Sequence, residues 1–200
     1  MDALYKDIHT YIEFENKKVL EVGCQRGELI DTIYPSLTTK ISGIDINQRY
    51  VNFCAEKYPK LTFWRANIVK GVRSAEHPGY EYFDVVVCNS VLQYIDTSLS
   101  ARGAIYMMVE RLTDDGVLFI GDVFDERFKW LYQLLVMNKI KLAKMWLGRR
   151  FSFLYLSPAW FHQLPYHVTT VTTTYAKKWR YHVLIRKNFE KTGLYHRSVS

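Results

Sequence analysis

Val19-Leu20-Glu21-Val22-Gly23-Cys24-Gln25-Arg26-Gly27, followed by Gly43-Ile44-Asp45-Ile46-Asn47, carries the reading of this chain. The apolar run Val19 to Val22 reads as a buried parallel strand that stops at a glycine. A second glycine, Gly27, stands just before the helix-like segment Glu28 to Tyr34. Glycine at such a turn lets the backbone approach a ligand and adopt dihedrals closed to other residues. A second apolar strand, Ile41 to Ile46, then presents the carboxylate of Asp45 near its C-terminal end. In doubly wound folds an acid at that distance past a glycine turn accepts hydrogen bonds from ribose hydroxyls. Together the two segments describe a pocket for an adenosine-containing cofactor. The glycine spacing narrows the choice, because G-x-G-x-x-G, which seats a dinucleotide pyrophosphate on a helix N-terminus, is missing here.

Composition sets the bounds. Two hundred residues suffice for one domain with a sizeable core. The hydrophobic share of 48% and aromatic share of 16% argue for an ordered globular chain. No apolar run reaches membrane-spanning length, and Met1 to Asp7 carries acids in place of the basic-then-apolar pattern of a secretory signal. Cys24, Cys54 and Cys88 are too few and too scattered for a disulfide framework or a zinc cluster, and they sit in apolar contexts where buried thiols belong. A reducing cytoplasm follows as the expected compartment, with no metal site. The net charge of +7 is concentrated after Arg127, which implies a local positive surface and not a nucleic-acid channel along the whole chain.

Strand and helix patterns alternate along the first 120 residues. Ala3 to Phe14 reads as a helix, and the helix after the first strand ends near Pro35. Gln48 to Tyr58 forms a helix with Val51, Cys54, Ala55 and Tyr58 on one apolar face, followed by a third strand, Leu61 to Trp64. Val69 to Glu81 reads as loop. The fourth strand is Phe83 to Cys88, followed by a helix from Leu99 to Leu112. Asp114-Asp115-Gly116 reads as a turn into a fifth strand, Val117 to Ile120. Val168 to Tyr175 and Tyr181 to Arg186 read as an antiparallel hairpin joined by Ala176 to Trp179. The expected fold is α/β: a Rossmann-like, seven-stranded, mostly parallel sheet closing with an antiparallel hairpin, helices on both faces. Residues 1–187 form one domain, with 123–165 as a lid or insertion region and 188–200 as a polar tail.

The loop Glu21-x-Gly23-x-x-x-Gly27 resembles the acid-x-Gly-x-Gly-x-Gly loop of class I S-adenosylmethionine-dependent methyltransferases, with Gln25 in place of the middle glycine. Two further blocks extend the resemblance over roughly Lys18 to Gly121. Phe83-Asp84-Val85-Val86-Val87-Cys88-Asn89-Ser90-Val91-Leu92-Gln93-Tyr94-Ile95 is similar to the family's fourth-strand motif. Arg111 to Val123 is similar to the segment entering and leaving its fifth strand. The Asn-Ser-Val-Leu-Gln-Tyr and Gly-Asp-Val wording is closest to methyltransferase domains acting on small metabolites, as in peptide-synthetase assembly lines and some sugar methyltransferases.

The resemblance implies S-adenosyl-L-methionine as cofactor and gives each residue a role. Asp45 binds the ribose diol, the alternative being a helix-capping acid. Glu21 lies near the methionine amino group or the loop amides, the alternative being a surface residue at a strand end; Gly23 and Gly27 let the backbone pass the methionine portion, and Cys24 between them joins the cofactor-binding set. Asn67 contacts the adenine amino group, or merely shapes a turn. Ile46 and Ile68 sandwich the adenine, unless they are core. The carbonyls of Asn89 and Cys88 receive the cofactor's ammonium, and Ser90 joins the cofactor-binding set; Gln93 and Tyr94 wall the methyl-transfer site, Tyr94 being equally readable as a core plug. Asp122 is the first candidate for a general base, the alternative being a helix cap, with His162 and His167 behind it.

The expected activity is methyl transfer to oxygen or nitrogen of a small-molecule acceptor. An RNA methyltransferase is the second reading, although Asn89-Ser90-Val91-Leu92 replaces the acid-Pro-Pro-aromatic tetrapeptide often used for base N-methylation. A noncatalytic cofactor-binding partner subunit is the third. Arg127 to Arg150 holds seven basic residues and no acid, with Phe128, Leu131, Leu134, Leu135, Leu142, Met145 and Trp146 broadly on one helical face. It reads as a lid over the acceptor, which would suit an anionic molecule, as a homodimer surface, or as a helix contacting a membrane surface.

Overall fold

Alternation along the central strands sends successive side chains into two separate apolar layers, and this divides the molecule. The computed structural model describes residues 2–33, 40–70, 82–132, 153–173 and 179–187. Along the chain these form α1 (Asp2–Tyr11), β1 (Lys18–Val22), α2 (Glu28–Ile33), β2 (Lys40–Asp45), α3 (Gln48–Lys57), β3 (Thr62–Arg65) and β4 (Phe83–Asn89). A 3-10 turn (Leu92–Tyr94), α4 (Ser98–Val109), β5 (Leu112–Phe124), α5 (Lys129–Tyr132), α6 (Pro158–Phe161), β6 (His167–Thr172) and β7 (Arg180–Arg186) follow. The seven strands make one sheet in the order β3-β2-β1-β4-β5-β7-β6. The first five run parallel, and β7 and β6 add antiparallel pairs. The reversal of strand order lies between β1 and β4, where open α/β sheets leave a crevice above the carboxyl ends.

Leu20, Val22, Ile44, Val86, Cys88 and Ile120 face one layer, closed by Ala101, Ala104, Ile105 and Met108 of α4 and by Phe161 of α6. Val19, Ile41, Val85, Val87 and Phe119 face the other, covered by Ile8 and Ile12 at α1, Ile30 of α2 and Cys54 of α3. This is the period-two pattern of strands buried on both faces. Asn47 caps α3 by accepting from Arg49 N at 3.0 Å, and Thr97 caps α4 by accepting from Ser100 N at 3.1 Å.

The expected fold class stands, with boundaries revised. The N-terminal helix ends at Tyr11, and Phe14, expected to be helical, is a fully buried residue of the connection to β1. The helix expected over Leu99 to Leu112 ends at Val109. The fifth strand is much longer than Val117 to Ile120, because Leu112 already pairs with Phe83 before the ladder shifts register. Asp114-Asp115-Gly116 is therefore an irregularity inside β5 and not a turn ahead of it. A Cβ on Gly116 would stand 3.0 Å from Leu112 Cβ and from Thr113 O, so a larger residue here would have to push its neighbours aside by a few tenths of an ångström. Readings that involve Tyr34 and Pro35, the loop 71–81, the basic stretch 133–152, the hairpin turn 174–178 and the tail 188–200 fall outside the described residues.

Candidate active site

The loop after β1 is held from three sides. Gly23 N and Cys24 N donate to Ile44 O at 2.7 and 3.0 Å, which ties the loop to β2. Gly23 and Gly27 adopt φ of 79° and 72°. A Cβ on Gly23 would lie 2.4 Å from Val91 Cγ2, so glycine is required there by space as well as by dihedral. Between them Gln25 takes φ 42° despite its side chain. Its N–H donates to Asp45 Oδ2 at 3.1 Å, and the N–H of Asn47 donates to Asp45 Oδ1 at 2.8 Å. The carboxylate thus clasps the glycine loop to the start of α3. At the far end the hydroxyl of Tyr58 donates to Gly27 O at 3.0 Å and also meets the carboxylate of Asp31.

Above the carboxyl ends of β1, β2, β3 and β4 lies a cavity of about 570 Å³, inside the range of about 300–1,000 Å³ usual for small-molecule sites. Of the residues expected to bind cofactor, Gly23, Asp45, Ile46, Asn67, Ile68, Ser90 and Tyr94 line it together. Ile46 is 59% exposed and Tyr94 58% exposed, large apolar surfaces left open where they face the hollow. Asn67 Oδ1 accepts from Val69 N at 3.0 Å, so the turn-forming reading of this residue holds. Its remaining lone pair and its amide hydrogens stay free for a ligand edge.

Glu21, Cys24, Gly27 and Asn89 do not line the cavity; they stand behind its wall. Glu21 is buried on β1 with Oε2 lacking any partner. Burial first, then the charges of Asp45 and Glu28, push its carboxyl well above the usual range. Burial pushes the thiols of Cys24 and Cys54 upward, and that of Cys88 up to about 12. These cysteines remain neutral thiols near neutral pH, unsuited to nucleophilic chemistry.

The catalytic candidates separate from the cavity. Asp122, 4% exposed, accepts from Ser90 Oγ at 2.6 Å and is ion-paired with Arg180. A carboxylate held by a guanidinium and a hydroxyl inside the wall is not placed to collect a proton from a molecule in the hollow. His162 is exposed beyond α6. His167 opens β6 opposite Arg186, which pairs with Val117, the β5 residue that stands beside Val85 toward the amino end of β4. The antiparallel turnover of β7 and β6 thus carries His167 to the rim facing away from the cavity. Neither histidine lines the cavity.

Several lining residues escaped the sequence reading. Gln25, Asn47 and Tyr50 surround Asp45, while Lys70, Asp96 and Ser100 stand along the mouth. Gln25 acts through its backbone, which no residue-type pattern reveals. Residues 153–156 also return to this edge: Leu154 N donates to Gln93 O at 3.0 Å and Leu156 N to Phe124 O at 3.0 Å. They bring Phe153 to 5.8 Å from the Tyr94 ring. Among the described residues no cluster of His, Cys, Asp or Glu could hold a metal, and no helix is long and apolar enough to cross a membrane.

The residues present fit an adenosine ligand with an amino-acid end: open apolar surfaces at Ile46, a buried carboxylate at Asp45, and an orphaned buried carboxyl oxygen behind the glycine loop. Comparison with known proteins agrees. Residues 20–118 match the family model of a methyltransferase domain. No curated protein matches the sequence. Among solved structures, the PH0226 protein from Pyrococcus horikoshii OT3 superposes with a TM-score of 0.71 at 13% identity, covering 94% of this chain and 89% of that one. The N-methyltransferase NodS from Bradyrhizobium japonicum WM9, in complex with S-adenosyl-L-homocysteine, gives 0.59 at 17% identity over 92% and 82%. DesVI from Streptomyces venezuelae gives 0.65 at 12% identity over 92% and 90%. At such identities the likeness to solved structures is one of fold.

Proposed function

Because the chain belongs to the class I S-adenosylmethionine-dependent methyltransferases, residues 20–118 matching the methyltransferase-domain model, we propose that it methylates an oxygen or nitrogen of a small-molecule acceptor. One observation carries the proposal: the cavity at the reversal of strand order gathers Gly23, Asp45, Ile46, Asn67, Ile68, Ser90 and Tyr94 from four different connections. S-adenosylmethionine supplies, when bound, a methyl group already activated on a sulfonium. The chain's own part is to hold and orient. Each carboxylate oxygen of Asp45 accepts one backbone N–H and keeps a lone pair for a ribose hydroxyl. Ile46 and Ile68 offer apolar faces to a flat ring, and Tyr94, with the Phe153 ring against it, lines the open side. Placing two reactants in line at near-attack distance accounts for much of the rate in such a reaction.

The small-molecule acceptor is supported by the return of residues 153–156 to the cavity edge, which fits a lid drawn from 123–165. Nitrogen as the methylated atom fits one structural neighbour, NodS, an N-methyltransferase. Of the segment 127–150, on which the homodimer and membrane-surface readings rest, residues 133–150 lie outside the described residues. We place the protein in a reducing cytoplasm, a reading that its three buried free thiols support.

Titration calorimetry with S-adenosylmethionine and S-adenosylhomocysteine tests the cofactor, and transfer of labelled methyl into a metabolite extract or into total RNA tests the acceptor class. Label entering metabolites supports the proposal. Label in RNA alone would replace it with the RNA reading, and cofactor binding with no label in either would favour a partner subunit.

A further inference from the structure

Where β5 meets β7, two residues oppose one. Ile120 pairs with Val183 and Val123 with Tyr181, so Gly121 and Asp122 together face His182. This is a β-bulge, and the N–H that it frees at Asp122 donates to His182 Nδ1 at 3.2 Å. The bulge holds Asp122 at φ 63° and turns its carboxylate along the rim, where it accepts from Ser90 Oγ at 2.6 Å and from Arg180. The pair with Arg180 is end-on. Both bonds come from Nη1, whereas arginine and a carboxylate frequently meet fork to fork through two nitrogens. Among the described residues Nε and Nη2 meet no acceptor. They form a planar edge that carries N–H donors only, on a side chain that stays 26% exposed.

The surroundings of that edge are aromatic. The guanidinium lies over the Phe124 ring, 4.3 Å from its centroid. Phe124 stacks on Phe153 at 5.3 Å, and Phe153 meets Tyr94, which lines the cavity, at 5.8 Å. A run of rings thus leads from the cavity to Arg180. Tyr155 packs beside Phe124 at 5.5 Å and has a second cation, Lys129 Nζ, 5.6 Å from its centroid. The nearby carboxylate of Asp125 is taken up by Arg127. The cavity itself opens over β1 to β4, while Arg180 opens β7 opposite Phe124 at the end of β5. A molecule presented to a cofactor lying over β1 to β4 meets this rim from the β5 side. We propose that Arg180 is a specificity-determining residue for the acceptor: its Nε and Nη2 edge takes two anionic oxygens, of a carboxylate or a phosphoryl group, on a molecule whose apolar body lies along Tyr94 and Phe153. Asp122 is the positioning residue that holds the guanidinium by its other end. This rests on the small-molecule reading above and narrows it to acidic acceptors; the selecting group is on β7, apart from the basic segment that begins at Arg127.

Labelling by the full chain with tritiated S-adenosylmethionine tests it, on a metabolite extract first divided by anion exchange into a retained pool and a flow-through pool. Wild-type protein should label the retained pool. Arg180→Lys keeps a cation for Asp122 but loses the planar fork. It should raise the amount of retained pool needed for half-maximal labelling by about ten-fold or more, the worth of one charge-assisted hydrogen bond. Its affinity for S-adenosylhomocysteine, measured by calorimetry, should be unchanged. Label in the flow-through alone, an unshifted Arg180→Lys, or a parallel loss of S-adenosylhomocysteine, which would assign the guanidinium to the cofactor, would each overturn the inference. If Arg180→Lys does not fold, wild-type protein still decides. Benzoate and phenyl phosphate should inhibit labelling where neutral benzamide does not, the stronger of the two telling carboxylate from phosphoryl, and equal inhibition by all three would overturn the inference. Wild-type protein that binds S-adenosylhomocysteine and labels neither pool would instead refute the small-molecule reading itself.

Discussion

Gly23 and Val91 stand so close that a methyl group on the glycine would come within 2.4 Å of Val91 Cγ2. The first residue beyond β1 therefore lays its bare backbone directly against the side chain of the second residue beyond β4. Gly23→Ala should lower stability by about 1–2 kcal/mol through its left-handed dihedral alone, and the clash adds to this. Val91→Ala in the same protein should recover the part due to crowding and leave the dihedral cost. Urea melts of the two single variants and the double variant measure both parts, and full recovery in the double variant would refute the dihedral contribution.

Asp45→Ala removes the acceptor for Gln25 N and Asn47 N together with the ligand's own partner. Cofactor affinity should fall by about two orders of magnitude, as for loss of a buried charged hydrogen-bond acceptor. Asp45→Asn retains one acceptor oxygen and should fall between the two. Calorimetry checks the order; equal binding by wild type and Asp45→Ala would remove Asp45 from the site.

Glu21 gives the protein a pH dependence of known sign. Its carboxyl is raised well above 4.5 by burial, so the folded chain holds that proton more tightly than the unfolded chain does. The resulting stabilisation is complete below about pH 4.5 and disappears as pH climbs through the raised value. Glu21→Gln, which keeps the shape without an ionisable proton, should be more stable than wild type at pH 8, with a smaller difference at pH 5. Denaturant midpoints at the two pH values provide the comparison, and an unchanged difference would mean that Glu21 does not titrate in this range.

His182 works in the opposite direction. Burial lowers it below 6.5 in spite of Asp7 and Asp122, so the folded state favours the neutral ring. That contribution is present above about pH 6.5 and is lost as pH falls toward the lowered value. His182→Phe should flatten this acid limb. It should also cost about 1–3 kcal/mol at pH 7.5, since Asp122 N–H loses its acceptor. Thermal melts between pH 5 and 7.5 distinguish a flattened slope from a uniform offset.

The parallel half of the fold was legible because β1, β2 and β4 are short apolar runs ending at glycine or polar residues, a pattern with few other solutions. The cavity residues on those strand ends were legible for the same reason. β5 was not, since Asp114-Asp115-Gly116 has turn chemistry and Gly121-Asp122 interrupts the apolar run. Both are bulges whose existence depends on partners far along the chain, Phe83 and His182. Asp122 was placed near the crevice by counting, but the bulge aims it at Arg180. His167 was misjudged because proximity in sequence to the last strands says nothing about which end of an antiparallel strand faces up. Gln25 serves by its amide, and an amide is common to almost every residue type.

Among the described residues, those that line the cavity fall between Val22 and Ser100, and Phe153 with the backbone bonds of Leu154 and Leu156 reaches its edge from beyond Phe124. Inheritance can treat these regions separately. Substitutions in the described residues beyond Phe124 can change what meets the cavity's edge and leave the residues that line it as they are.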